Sequence, residues 1–195
     1  MDITSGVIKV GDGGRGFIVR TAGDERLILT ARHCLDEIPS PLNTKITDRL
    51  VHAAAGPLDG PLTVALRPVF ADSVGDLAVF AAPTMRDHEA EAEAYNDFIA
   101  GRHCFDIAAP SPHCARARAL DLAGHWVDVA IEDVSGWLHL RPSVLVPGMS
   151  GGPIIDSAGR AIAICSNTAS SQPIIVERLP SFLARQLHAD LRRAA

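Results

Sequence analysis

The strongest constraint on this chain is its punctuation. Short apolar stretches are cut at close intervals by Gly and Pro clusters, which leaves little of the 195 residues for long helices. In residues 1–83 the stretches Ser5 to Val10, Arg15 to Thr21, Arg26 to Ala31, Lys45 to Leu50, Leu62 to Val69 and Asp76 to Ala81 read as β-strands. Between them lie Gly11-Asp12-Gly13-Gly14, Ala22-Gly23-Asp24, Pro39-Ser40-Pro41 and Gly56-Pro57. Glycine takes up the left-handed positions of tight turns and proline removes a ladder donor, so each cluster ends a strand. Short strands at this spacing predict a small antiparallel barrel.

Residues 84–101 change character. Met85 to Ala94 is rich in Ala and Glu, and neither Gly nor Pro interrupts it before Gly101. The stretch reads as a solvated connector over 84–101, either a good helix or a flexible acidic run, with the helix preferred. Strand patterning returns over 102–178: His103 to Ala109, His113 to Asp121, His125 to Asp133, Trp137 to Pro142, Gly151 to Asp156, Arg160 to Ser166 and Gln172 to Glu177. Asp156-Ser157-Ala158-Gly159 between two apolar strands is a hairpin signal. Pro180 then opens a helix over 179–195, with Phe182, Leu183, Leu187 and Leu191 at helical spacing. The order is a β-rich half, a connector, a second β-rich half and a C-terminal α-helix.

Composition excludes several classes. Lys plus Arg is 18 against 23 Asp plus Glu, a net charge of -5 that offers no electrostatic basis for binding nucleic acid. No apolar run approaches the roughly 20 residues of a membrane-spanning helix. Met1 to Gly6 has neither the basic start nor the apolar core of a signal peptide. Cys34, Cys104, Cys114 and Cys165 are too few and too scattered to staple a chain of this length, so a reducing cytoplasm is the expected compartment.

Three stretches carry chemistry. Leu29-Thr30-Ala31-Arg32-His33-Cys34 sets a His just past an apolar strand, Gly75-Asp76-Leu77-Ala78-Val79 an Asp at the start of one, and Pro147-Gly148-Met149-Ser150-Gly151-Gly152-Pro153 a Ser in a Gly-rich turn. A serine hydroxyl is a poor nucleophile until a neutral imidazole takes its proton. The imidazole in turn needs a carboxylate on its other nitrogen, to fix the tautomer and stabilise the imidazolium. Backbone N–H groups must converge on the oxyanion of the tetrahedral intermediate, and glycine beside the serine permits that. Gly148 and Ser150 are the candidate donors. Asp72, four residues before Asp76, is a competing carboxylate, but the Leu-Ala-Val sequel favours Asp76.

With these residues in view, the sequence resembles the chymotrypsin-like (trypsin-like) serine proteases in their disulfide-poor bacterial form. Gly148 to Pro153 matches the family's Gly-x-Ser-Gly-Gly-Pro signature. Thr30-Ala31-Arg32-His33-Cys34 matches Thr-Ala-x-His-Cys, with Arg32 where Ala is usual, and Asp76-Leu77-Ala78-Val79 resembles the aspartate signature. Gly14-Arg15-Gly16-Phe17 looks like the Gly-x-Gly-Phe strand that precedes the His motif. The order His, Asp, Ser is that of the chymotrypsin template. The resemblance covers residues from about 5 to 180. It implies an all-β fold of two six-stranded antiparallel barrels with the site in the cleft between them, and a terminal helix packed on the second.

The resemblance further implies His33 as general base, Asp76 as its orienting carboxylate, Ser150 as nucleophile, and the Gly148 and Ser150 amides as the oxyanion hole. It places Val144 at the base of the specificity pocket, which suggests a small or apolar residue before the scissile bond, and Ser166-Asn167 along the substrate backbone. Two departures stand out. Cys34 has no cysteine on the strand Gly16 to Arg20 to pair with, and Met149 stands where secreted digestive relatives carry an Asp that anchors a freshly cut N-terminus. Zymogen activation of that kind is therefore not expected.

The bland readings are these. His103-Cys104 and His113-Cys114 are types zinc uses, but adjacent pairs do not match zinc spacings and neighbouring strand residues face opposite ways, so buried thiols are expected ahead of a metal site or a Cys104–Cys114 disulfide. Trp126 and Trp137 read as core or barrel-rim residues. The expected activity is serine endopeptidase, needing no metal or organic cofactor and acting on a protein or peptide substrate. An esterase is a lesser option with the same triad. The alternative of another class is a latent or inactive protease-like module that awaits an activating partner.

Overall fold

The computed structural model describes residues 2–11, 13–21, 24–35, 51–72, 75–84, 88–108, 116–134, 137–141, 146–166 and 175–178. The strands of the first half are β1 Val7–Val10, β2 Gly14–Arg20, β3 Arg26–Ala31, β4 Val51–Gly56, β5 Val64–Asp72 and β6 Leu77–Ala81. They pair antiparallel in the order β1-β2-β3-β6-β5-β4, and β4 returns to β1 to close a barrel. Helix α1, Glu89–Ala100, follows. The second half contributes β7 Ala117–Leu120, β8 Trp126–Val134, β9 Trp137–Arg141, β10 Pro153–Ile155, β11 Ala161–Cys165 and β12 Ile175–Arg178. Its pairing order is β10-β11-β12-β9-β8-β7, with β10 also paired to β7.

The strands of the first barrel nearest the second half are apolar on both faces for a physical reason. Side chains alternate along a strand. On β2 and β3, Ile18 and Ile28 point into the barrel with Val10, Leu66, Ala78 and Phe80. Their neighbours Phe17, Val19, Leu27 and Leu29 belong to a separate buried cluster with Phe105, Leu120, Ile155, Ala161 and Ile164 of the second half. A strand buried on both faces reads as a continuous apolar run, as Leu27-Ile28-Leu29 does. A third cluster, including Val129, Leu140, Met149, Ile154 and Ile162, fills the second sheet.

One strand expectation is corrected, and one lies outside the described residues. The fourth strand of the first barrel is Val51–Gly56, which the sequence reading did not single out, and Lys45–Leu50 lies outside the described residues. The Ala-rich sequence of β4 has weak strand propensity, and its ladders with β1 and β5 override it. The described part of the expected strand His103–Ala109, residues 103–108, is not a strand but a seam between the halves. Phe105 bonds through its backbone to Ile18 and Arg20 of β2, while Asp106 and Ala108 bond to Ala161 of β11. Its apolar residues are split between two sheets, so only single parallel bridges form at Phe105 and Ile107.

Helix α1 is anchored rather than merely solvated. Ala92, Tyr95 and Ile99 are buried on the first barrel, the Tyr95 hydroxyl donates to Arg26 O at 3.0 Å, and Arg26 Nη1 reaches the carbonyls of Ile99 and Ala100 at the helix end. The turn between β10 and β11 closes on Asp156, whose carboxylate accepts the Ala158 and Arg160 N–H groups and pairs with the Arg160 guanidinium. The expected helix over 179–195 lies outside the described residues. Among the described residues, no helix is long and apolar enough to cross a membrane.

Phe105 is fully buried, edge-on to Phe17 at 5.8 Å and to Trp126 at 6.3 Å, and it sits in the seam. Phe105→Ala is expected to destabilise the chain by about 3–5 kcal/mol. The drop in urea midpoint measures it.

Candidate active site

Strand register delivers His33 to Asp76. Ala31 of β3 faces Leu77 of β6, so the residues just beyond β3 meet the residue just before β6. Beyond Ala31 the chain turns through the short 3₁₀ segment Arg32–Cys34. Arg32 N–H donates to Asp76 O at 3.0 Å, and His33 N–H donates to Asp76 Oδ1 at 2.9 Å. The ring follows, with His33 Nδ1 2.7 Å from Asp76 Oδ2. Asp76 holds this position in the left-handed region, φ 43°, which aspartate tolerates better than most residues.

The second half brings Ser150 to the same place. Gly151 N–H donates to Cys165 O at 2.7 Å and Cys165 N–H to Gly152 O at 2.8 Å, which extends the β10–β11 ladder to the residues beside Ser150. Ser150 therefore lies across from Ser166, and its hydroxyl donates to Ser166 O at 3.5 Å. The Ser166 hydroxyl donates to Asp76 Oδ2 at 2.5 Å. Ser150, Ser166, Asp76 and His33 form one chain of contacts across the two halves. No hydrogen bond joins Ser150 Oγ directly to His33 Nε2; the neighbour of Nε2 is Cys34 Sγ, at 3.9 Å.

The turn before Ser150 is set by Pro147 and Gly148. Met149 N–H closes onto Val146 O at 3.1 Å and Gly148 has φ 94°. Proline at the second position with a left-handed residue at the third defines a type II turn. Within the described residues, no bond engages the N–H of Gly148 or of Ser150. Gly151, at φ 82°, is confined more tightly, since a Cβ there would lie 1.9 Å from Arg15 O.

Electrostatics follow from these contacts. Burial pushes the Asp76 carboxyl up, but hydrogen bonds from the His33 ring, the Ser166 hydroxyl and the His33 N–H outweigh it, and the carboxyl ends below its ordinary value. The Asp76 hydrogen bond, reinforced by Cys34, raises His33 from 6.5 to about 10 against an opposing effect of burial. Cys165 is pushed up to about 12 by burial, so its thiol is no nucleophile.

Of the other residues singled out in the sequence, Ser166 is buried with its side chain committed to Asp76, a contact that motif reading did not reveal. Val144 and Asn167 lie outside the described residues, as do His113 and Cys114. Cys34, Cys104 and Cys165 are free thiols, and a Cβ on Gly14 would meet Cys34 Sγ at 2.5 Å. Among the described residues, no group of three or more His, Cys, Asp or Glu is placed to hold a metal. Trp126 is half-buried against Phe105, with its indole N–H on Thr4 Oγ1 at 3.1 Å.

Comparison with known proteins places this geometry in a fold. No family model and no curated sequence matches the chain. Solved structures do. The Rv3671c protease of M. tuberculosis in its active form matches with a TM-score of 0.59 at 18% identity, over 95% of this chain and 81% of that one. A serine endoprotease from Yersinia pestis matches with a TM-score of 0.59 at 16% identity, over 98% of this chain and 64% of that one. The HtrA-type protease AlgW matches with a TM-score of 0.53 at 16% identity, over 93% and 52%. The chain thus shares the fold of trypsin-like and HtrA-type serine proteases, and it is shorter than the last two.

The raised His33 sets a pH dependence. An imidazolium cannot accept a proton, so reaction of Ser150 with a serine-directed fluorophosphonate is expected to speed up as pH rises past neutral, with a midpoint well above 6.5. Asp76→Asn removes the carboxylate, so the midpoint is expected to fall back towards 6.5 while the maximal rate drops, roughly 10⁴-fold in the best-studied case of this substitution. The stability signs follow from the same shifts. The share from His33 is present below 6.5 and is lost as pH rises through about 10. The share from Asp76 is present above 3.8 and is lost as pH falls through its depressed value. Urea midpoints of wild type and His33→Ala should therefore converge at high pH.

Proposed function

We propose that this chain is a serine endopeptidase. Ser150 attacks the carbonyl of a peptide bond, His33 takes the hydroxyl proton and returns it to the leaving amine, and Asp76 holds the imidazole through Nδ1, leaving Nε2 to exchange that proton. The amides of Gly148 and Ser150 hold the oxyanion, and water then releases the acyl group from Ser150. The observation that carries this reading is the convergence on one carboxylate of the His33 ring and of Ser166, the residue whose carbonyl Ser150 touches. The type II turn supports the oxyanion role, because it fixes the orientation of the peptide that carries the Gly148 N–H.

In this reading the second sheet, whose pairing comes full circle through β10 and β7, is the second of two barrels. Residues 1–83 and 102–178 are the two lobes, joined by the 84–101 connector. Val144 shapes the pocket for the residue before the scissile bond, and Ser166 and Asn167 lie along the substrate backbone. The substrate is a protein or peptide met in the cytoplasm, and the reaction needs no cofactor.

One observation favours a second reading, a resting form that a partner protein activates. Ser150 Oγ is bonded to Ser166 O rather than to His33 Nε2, so the hydroxyl is not poised for proton transfer. Activation then consists of turning the hydroxyl from Ser166 O to His33 Nε2.

Labelling with a fluorophosphonate separates the two. An active endopeptidase labels on Ser150 as isolated, and Ser150→Ala and His33→Ala abolish labelling. On a verified substrate, each substitution is expected to lower kcat by roughly 10⁶-fold. A folded wild type that does not label at any pH would exclude the constitutive enzyme.

A further inference from the structure

Arg15 stands at the free position of Gly14-Arg15-Gly16 and is 6% exposed. Its main chain grips the segment around Ser150. The Arg15 N–H donates to Ser150 O at 2.7 Å, and the Arg15 carbonyl lies against Gly151, where even a methyl group would collide. The same carbonyl accepts the Thr30 hydroxyl at 2.6 Å, and Thr30 lies on β3, three residues before His33. The strand that carries the base and the residue that carries the nucleophile thus meet on one peptide.

The side chain does something else. It crosses to the second half, where Nη1 donates to Leu120 O at 2.7 Å and Nη2 to Asp121 O at 3.0 Å. Those carbonyls lie at the end of β7 and one residue beyond it, and β7 pairs with β10, the strand that follows Ser150 by way of Gly151 and Gly152. One residue therefore holds the nucleophile by its backbone and the neighbouring strand by its guanidinium. Any amino acid but proline could make the backbone contacts. Only a side chain with two terminal donors on a long stem reaches both carbonyls. Burial lowers the Arg15 pKa, which marks the guanidinium as desolvated, with Cys165, Asp121 and Asp59 acting electrostatically in the other direction. A desolvated cation is costly for packing alone, which an apolar side chain would do better.

We propose that Arg15 is a positioning residue for Ser150: its guanidinium fixes the β7–β10 edge of the second half against the first and so sets the nucleophile's place relative to His33. This rests on the reading of Ser150 as nucleophile. A shift of about 1 Å in a reacting group typically costs on the order of 10²-fold in rate, so a strut at this point would be felt in the chemical step.

The test uses the full chain and a fluorophosphonate, with the maximal labelling rate kinact and the half-saturating concentration KI measured across pH. Arg15→Met keeps length and bulk but loses both donors. Its kinact is expected to fall between about tenfold and 10²-fold, with KI and the pH midpoint unchanged, and Arg15→Lys, which still reaches one carbonyl, should recover part of the loss. Arg160→Met, which breaks the surface pair with Asp156, should leave kinact as it is. A folded Arg15→Met with kinact within about twofold of wild type would overturn the proposal. So would a loss confined to KI, which would make Arg15 a substrate contact, or a displaced pH midpoint, which would make it a modulator of His33. Should Arg15→Met not fold, Arg15→Lys decides alone, since an unchanged kinact there overturns the strut. Absence of labelling in folded wild type excludes the constitutive enzyme, and with it a nucleophile that Arg15 holds in place in the isolated chain, an outcome distinct from all the others.

Discussion

The site depends on one carboxylate. Asp76 takes the N–H and ring Nδ1 of His33 from its own barrel and the hydroxyl of Ser166 from the other half. A half-buried carboxylate would ordinarily be driven towards its neutral form, and these donors keep it charged. The same bonds orient the His33 ring, and they tie the two halves together at this point. Its left-handed backbone, uncommon outside glycine, is held because the Asp76 carbonyl and both carboxylate oxygens are engaged.

Around that carboxylate the halves are joined by burial on a larger scale. Phe17, Leu27 and Leu29 on the outer face of the first barrel pack with Leu120, Ile155 and Ile164 of the second half, and the 103–108 seam bonds to both sheets. Hydrophobic burial is strong but non-directional, so it brings the halves together without setting their register. The hydrogen bonds of Asp76 and Arg15 are directional and fall on the few residues where register matters. The shared peptide of Arg15, between Thr30 and Ser150, is where the two kinds of interaction meet.

Much of this was legible along the chain. β3, for example, lies where Arg26–Ala31 predicts it, because an apolar run bounded by turns has few other solutions. The motifs named His33, Asp76 and Ser150 because their chemistry requires particular residue types beside strand ends. What was not legible was relational. β4 is an Ala-rich strand that exists only by pairing with β1 and β5. The 103–108 stretch has strand character in its sequence but is divided between two sheets. The connector has the composition of a solvated run, yet it buries Tyr95 and Ile99. The side-chain contacts of Ser166 and Arg15 leave no local signal, since their partners are 90 and more than 100 residues away.

The sequence by itself determined that the chain is β-rich, that it has two halves, and which side chains could carry acyl-transfer chemistry, because periodicity, turn residues and motif spacing are local properties. Only the tertiary structure decided which of those side chains touch, that the Ser150 hydroxyl rests on Ser166 O, and that His33 is drawn well above its ordinary pKa. Those outcomes depend on distances between residues far apart in the chain, and on how much water remains around them. Neither quantity exists until the two halves have packed.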